Sequence, residues 1–157
     1  MLTTLDLSYA TGMYTGYMNK LNSETMEGIL LNCVELKEAN FVNQIIDAEF
    51  FANNLTPKIE KLNISENMAF DSKQIVQLVK RCNHITELNL DECDWEGSEE
   101  FQNCLIAISE NLSQSLVKLH LPRNSILYHE FLKSLPKLQN LWVTDANYFN
   151  MTQIIGR

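Results

Sequence analysis

The chain has 157 residues, of which 45% are apolar, and its 12 Lys and Arg against 20 Asp and Glu give a formal net charge of −8. This length and composition predict one folded domain with a sizeable core. Nucleic acids and anionic membranes both attract a positive protein surface, so the acidic balance argues against either as a partner. No apolar run approaches the length of a membrane span, and the first residues do not form a secretory signal.

A motif of the form L-x-x-L-x-L-x-x-N/C can be placed on the chain six times, and each copy predicts a short strand. The copies start at residues 2, 36, 59, 85, 116 and 138. Three of the five spacings fall within the period of about 20–29 residues that leucine-rich repeats show, and the longer ones leave room for an extra helical turn. Six copies in this order indicate a leucine-rich repeat.

Between the strand motifs, the apolar residues recur at helical spacing. The first helix is predicted with Ser23 as its N-cap, and Pro136 is predicted to end the last one. The predicted helices cover residues 23–32, residues 45–53, the segment after Asp71-Ser72, the segment after Ser98, and residues 126–135. The fold class is therefore α/β, a solenoid of about six repeats with a curved parallel sheet on its concave face and helices on its convex face.

Neither end of the predicted repeat array carries a polar capping repeat. Met1 begins almost inside a strand, and residues 151–157 look like the opening of another repeat or a tail. We therefore expect a domain spanning residues 1–157 with uncapped ends, belonging to a longer protein.

The cysteines and histidines do not form a pattern typical of catalysis or metal binding. Cys33 and Cys82 occupy equivalent positions two repeats apart, roughly 10 Å at strand spacing, which is beyond disulfide reach. There is no CxxC pair, phosphate-binding loop or HExxH motif, and Cys82 with His84 lacks a third orienting group. We expect reduced cysteines, as in the cytoplasm or nucleus, and neither enzymatic activity, cofactor nor metal.

Side chains that flank the buried strand positions should stack in columns on the concave face. One column carries alternating charges that neutralise one another, namely Thr4, Glu38, Lys61, Glu87, Lys118 and Asn140. The next column contains Asp6, Asn40, Asn63, Asn89, His120 and Trp142. A solvent-facing Trp142 is either a contact for a partner, where tryptophan is enriched, or is covered by a C-terminal segment.

The candidate binding surface lies at the carboxyl ends of the later strands and is acidic at its centre. Its residues are Asn89, Asp91, Glu92, His120, Arg123, Trp142 and Asp145. Two interpretations remain open: a solvated charged face, or a groove for a protein segment of basic character.

The segment Cys82-Asn-His-Ile-Thr-Glu-Leu-Asn-Leu-Asp-Glu-Cys93 resembles the cysteine-containing subclass of leucine-rich repeats, C-x-x-L-x-x-L-x-L-x-x-C, found in F-box substrate receptors of cullin–RING ubiquitin ligases. The order of segments between residues 27 and 143 is similar, more narrowly, to that of S-phase kinase-associated F-box proteins. Glu66 stands where such repeats usually have glycine.

The resemblance implies a non-catalytic domain that binds a protein substrate on its concave face. A Skp-type adaptor and a cullin would bind through an F-box outside these residues, and a cyclin-dependent-kinase regulatory subunit is a further implied partner. The alternative is a leucine-rich-repeat scaffold or regulator unrelated to ubiquitin.

Overall fold

The structure is a computed structural model that describes residues 1–8, 22–44, 46–93, 98–122, 129–143 and 151–154. In these ranges one sheet contains seven strands whose order in the sheet is their order in the chain. The strands are β1 (Thr4–Asp6), β2 (Glu38–Asn40), β3 (Lys61–Asn63), β4 (Glu87–Asn89), β5 (Lys118–Leu121), β6 (Asn140–Val143) and β7 (Met151–Ile154). Neighbours from β1 to β6 are parallel, whereas β7 is antiparallel to β6. The chain is therefore an α/β protein.

Five helices occupy the connections between the strands in the described ranges. They are α1 (Ser23–Asn32), α2 (Ala48–Asn54), α3 (Ser72–Arg81), α4 (Ser98–Leu112) and α5 (His129–Lys133). The start of α3 is fixed by a capping box, in which the Asp71 carboxylate accepts from the backbone N–H of Gln74 while the Gln74 side chain accepts from the backbone N–H of Asp71. No helix among the described residues is long and apolar enough to cross a membrane.

The core lies between the sheet and the helices. The central residue of each interior strand, such as Leu62, Leu88 and Leu119, is buried together with the apolar stripes of the helices. Three phenylalanines, Phe41, Phe51 and Phe70, lie fully buried between successive repeats and make edge-to-face contacts, with ring centroids 5.1 and 5.4 Å apart. Each repeat therefore completes the core of its neighbour.

A left-handed residue follows three consecutive strands at the same repeat position. Asn43, Glu66 and Glu92 have φ of 53°, 60° and 55°. This conformation turns the chain out of the strand towards the next helix, and glycine or asparagine adopts it with least strain. The glycine expected from the resemblance at Glu66 thus corresponds to a real backbone requirement that glutamate meets at a cost.

Asn67 joins the turns of neighbouring repeats. It is 2% exposed, and its Nδ2 donates to the backbone carbonyls of Phe41, Ile64 and Ser65 at 2.9, 2.9 and 3.0 Å. Its Oδ1 accepts from the backbone N–H of Gln44 at 3.0 Å. In the next repeat Cys93 occupies this position, and its thiol donates to the carbonyl of Ile64 at 3.5 Å. Asn67 and Cys93 are thus the two residue types, Asn and Cys, that the last position of the L-x-x-L-x-L-x-x-N/C motif allows.

Most predicted elements are found at or near their predicted positions. Helix α2 begins at Ala48 rather than at the predicted residue 45, because Asp47 is its N-cap, and three further elements differ. The N-cap of α1 is Asn22, whose side chain accepts from the backbone N–H of Thr25, so Ser23 is the first helical residue and the predicted cap was wrong. Helix α5 ends at Lys133, before the predicted residue 135, and the predicted start at 126 lies outside the described residues. Residues 151–154, which were expected to open another repeat or to form a tail, do not open a parallel repeat but return antiparallel along β6 as β7.

Candidate functional site

The strand face is the side of the sheet that carries the first and third residues of each strand from β1 to β6. These residues flank the buried central position and therefore point away from the helices. A shallow depression of about 310 Å³ runs over this face from β1 to β5. No helix among the described residues covers the strand face, which is therefore the first candidate for binding.

The first residues of the strands form a charge-neutral column. Lys61 Nζ lies 2.8 Å from Glu38 Oε1, and Lys118 Nζ lies 3.2 Å from Glu87 Oε2. The register pairs these residues across β2–β3 and β4–β5, which confirms the predicted stacking. Because all four side chains are about 34–45% exposed, each pair contributes no more than about 1 kcal/mol. This column leaves no net charge for a partner to recognise.

The third residues of β1 to β4 end their strands through side-chain hydrogen bonds. Oδ1 of Asp6, Asn63 and Asn89 accepts from the backbone N–H two residues ahead, at 2.9, 3.1 and 3.0 Å. Asn40 does the same at 3.3 Å. The hydrogen bonds from Ser8 also lower the pKa of the Asp6 carboxyl. The carboxamide oxygen of Asn89 thus accepts a hydrogen bond within the turn. Its amide N–H groups, which donate to no other described residue, can bind a partner.

His120 and Trp142 continue this column on β5 and β6 and stack on each other. Their ring centroids are 4.0 Å apart and their planes differ by 19°. Burial lowers the pKa of His120, an effect that Lys118 reinforces and that Asp91 and Glu87 oppose. The imidazole is therefore neutral near pH 7 and offers a flat aromatic surface. Trp142, which is partly buried, also lies opposite Thr152 in the β6–β7 register.

The sequence-predicted site residues divide into three groups. Asn89, His120 and Trp142 lie in one column of the strand face. Asp91 and Glu92 lie in the turn after β4, where Asp91 is partly buried and Glu92 is exposed. Arg123 and Asp145 lie outside the described residues.

Sequence reasoning named Glu92 but missed the second depression that this residue lines, which is formed by the turns after β2, β3 and β4. It has a volume of about 320 Å³ and is lined by Asn43, Gln44, Glu66, Asn67, Met68 and Glu92. Glu66 and Glu92 follow their strands at the same repeat position, but their left-handed conformation is not visible in the sequence. We call these six residues the turn pocket.

The cysteines are unpaired. All four are free, Cys33 partly exposed and the other three buried. Burial raises the pKa of Cys82 to about 11, and of Cys93 and Cys104 to about 12, so these thiols are poor nucleophiles at neutral pH. Among the described residues, no group of three or more His, Cys, Asp or Glu side chains could hold a metal ion.

No protein-family model matches this chain, and no curated protein shows significant sequence similarity to it.

Proposed function

We propose that the chain is a leucine-rich-repeat solenoid that recognises a protein partner through its strand face and performs no catalysis. The observation that carries this proposal is the stacked pair of His120 and Trp142 at the β5–β6 end of a sheet surface that is otherwise polar and that no described helix covers. Aromatic residues anchored in a rigid sheet lose little conformational entropy on binding and are enriched at interaction hot spots.

We further propose that this domain is the substrate-binding part of an F-box receptor in a cullin–RING ubiquitin ligase, acting in the cytoplasm or nucleus. The support is the cysteine-containing repeat motif of residues 82–93 together with the burial of Cys82 and Cys93 at its two ends. In such a receptor the domain raises the effective concentration of the substrate near the transfer centre. A Skp-type adaptor and a cullin would be held through an F-box elsewhere, and a cyclin-dependent-kinase regulatory subunit could share the strand face.

Affinity capture of the tagged gene product from its own cells, read by mass spectrometry, tests the ligase assignment. Recovery of a Skp-type adaptor together with a cullin is the expected result. Repeated capture without either, but with other proteins enriched, would overturn it and favour the unrelated scaffold.

A tryptophan substitution tests the binding surface separately. Trp142→Ala should weaken binding of the captured substrate by about 2 kcal/mol, roughly 30-fold, if Trp142 is a hot spot. Leu31→Ala, which removes an exposed apolar side chain from α1, is the matched control and should leave affinity unchanged. Equal affinity of the Trp142→Ala and wild-type proteins would remove Trp142 from the interface.

A further inference from the structure

Carboxylates in the turn after β3 and the turn after β4 have no cationic partner among the residues that the structure describes. The ion pairs of the described residues join Lys37 with Glu60, Lys58 with Glu35, Lys61 with Glu38, Lys118 with Glu87, and Lys133 with Glu130. Glu66, Asp91 and Glu92 take part in none of them. Among the described residues the carboxylates of these turns are therefore not neutralised by an ion pair, whereas the first residues of the strands are.

The backbone places these acidic residues in neighbouring, hydrogen-bonded turns. Glu66 and Glu92 occupy the same position in consecutive repeats, both in the left-handed conformation with φ of 60° and 55°. The N–H of Glu66 donates to the carbonyl of Asp91 at 2.9 Å, which ties one turn to the next. Both turns therefore contribute an acidic residue to the lining of the turn pocket.

A buried acceptor without a partner lines the same pocket. Gln44 is only 5% exposed, and its Nε2 donates to the carbonyls of Leu7 and Val42 at 3.2 and 3.1 Å. Those two bonds fix the carboxamide, yet its Oε1 accepts no hydrogen bond. Oδ1 of Asp91, in the adjoining turn, is also buried without a partner. Leaving a buried acceptor unsatisfied destabilises a protein, so such atoms require an explanation.

We propose that the turn pocket binds a cationic side chain, an arginine or lysine, presented by a basic segment of the partner protein. Glu66 and Glu92 bring acidic side chains to the lining, Gln44 adds a buried amide oxygen without a partner, and the described lining residues include no cation. Guanidinium and ammonium groups bring several donors and no acceptor, and so complement this set. The exposed Met68 thioether at the rim can cover the aliphatic stem. The inference rests on the proposed function, because it names the chemistry of the protein segment that the strand face and its turns recognise.

The test is fluorescence anisotropy of the full chain with a fluorescein-labelled peptide, Gly-Gly-Arg-Gly-Arg-Gly-Gly, and its lysine and glutamate counterparts. We expect saturable binding of the arginine or lysine peptide and none of the glutamate peptide. The double variant Glu66→Gln/Glu92→Gln should weaken binding by about tenfold or more, because it removes two charge-assisted contacts while keeping side-chain size. The side-chain amide signals of Gln44 should shift in the ¹⁵N-labelled protein during the titration.

The control is Glu99→Gln/Glu100→Gln, which makes the same change in net charge at two exposed residues in the first turn of α4. It should change affinity less than about twofold, since exposed charges at a distance are screened. If both double variants weaken peptide binding equally, the peptide is attracted to the acidic protein in general and the proposal is overturned. If the Gln44 signals do not change at saturation, the peptide binds elsewhere, which also overturns it. Displacement of the peptide by Ca²⁺ alone at micromolar concentration would instead indicate a metal site and also overturn it.

This test and that of the proposed function fail in different ways. The peptide titration measures binding at the turn pocket of the isolated chain, whereas the capture of adaptor and cullin does not depend on Glu66 or Glu92. Trp142→Ala should leave the affinity for the short peptide unchanged, while it should weaken binding of the captured substrate.

Discussion

Asn67 provides the sharpest test of how the repeats are held together. Replacing it with alanine removes three donated hydrogen bonds and one accepted hydrogen bond at a site that is 2% exposed. The carbonyls of Ile64 and Ser65 keep second partners, a thiol and the backbone N–H of Asn43. The carbonyl of Phe41 and the N–H of Gln44 lose the partner that the described part of the chain gives them.

Two orphaned backbone groups at about 1–3 kcal/mol each, together with the lost side-chain packing, predict that Asn67→Ala lowers the free energy of unfolding by about 3–5 kcal/mol. This is a large share of the roughly 5–15 kcal/mol that a domain has in total. Asn67→Cys should cost less, because the thiol of Cys93 at the equivalent position in the next repeat still donates one weak hydrogen bond. The expected order of stability is Asn, then Cys, then Ala.

Urea unfolding followed by circular dichroism measures this series, with the midpoint and slope compared between variants. Asn32→Ala is the control, since it removes one exposed hydrogen bond, from Nδ2 to the carbonyl of Gly28, at the end of α1. That variant should stay within about 0.5 kcal/mol of wild type. If the free energy of unfolding of Asn67→Ala lies within about 1 kcal/mol of the wild-type value, the hydrogen bonds between turns do not stabilise the repeat and the reasoning is wrong.

Three further predictions concern backbone strain, thiol reactivity and pH. Glu66→Gly should be more stable than Glu66→Ala by about 1 kcal/mol in urea unfolding, since both remove the carboxylate and only glycine relieves the left-handed strain; greater stability of the alanine variant would contradict the assigned conformation. A thiol reagent at pH 8 should modify Cys33 quickly and the other three cysteines only after unfolding, because those three are buried with raised pKa values; rapid reaction of all four would exclude the described core. The fold lowers the pKa of the His120 imidazole, so the unfolded chain binds a proton on this residue more tightly than the folded protein does. The folded protein therefore loses stability as the pH falls from the unfolded pKa of His120 towards its lower folded pKa. The wild type should therefore lose more stability between pH 7.5 and 5 than His120→Phe, and parallel losses in the two proteins would remove His120 as the cause.

The order of the elements could be predicted because it depends on local patterns. The L-x-x-L-x-L spacing alternates with helical spacing, and each pattern is contained within a short segment. In-register neighbours such as Glu38 and Lys61 followed directly, since aligning the repeated motif fixes which residues lie opposite each other. The capping of α3 by Asp71 was similarly visible in the sequence.

The pairing of β7 could not be predicted in this way. A strand of four residues carries no mark of the direction in which it pairs, which depends on the edge that β6 leaves open. Asn22 rather than Ser23 caps α1 for a similar reason: both residue types are good N-caps, and the path of the chain entering the helix decides between them.

The α/β repeat, the polar columns of the strand face and the unpaired cysteines could all be predicted from the residue pattern alone. How the side chains meet depends on the fold, which stacks His120 on Trp142 with ring centroids 4.0 Å apart, buries Gln44 with a free acceptor, and places Glu66 and Glu92 in the lining of one pocket. The physical reason is that a repeat motif specifies which positions are buried along one strand. Contacts between turns depend on backbone dihedral angles and on packing across repeats, which no single segment of the sequence contains.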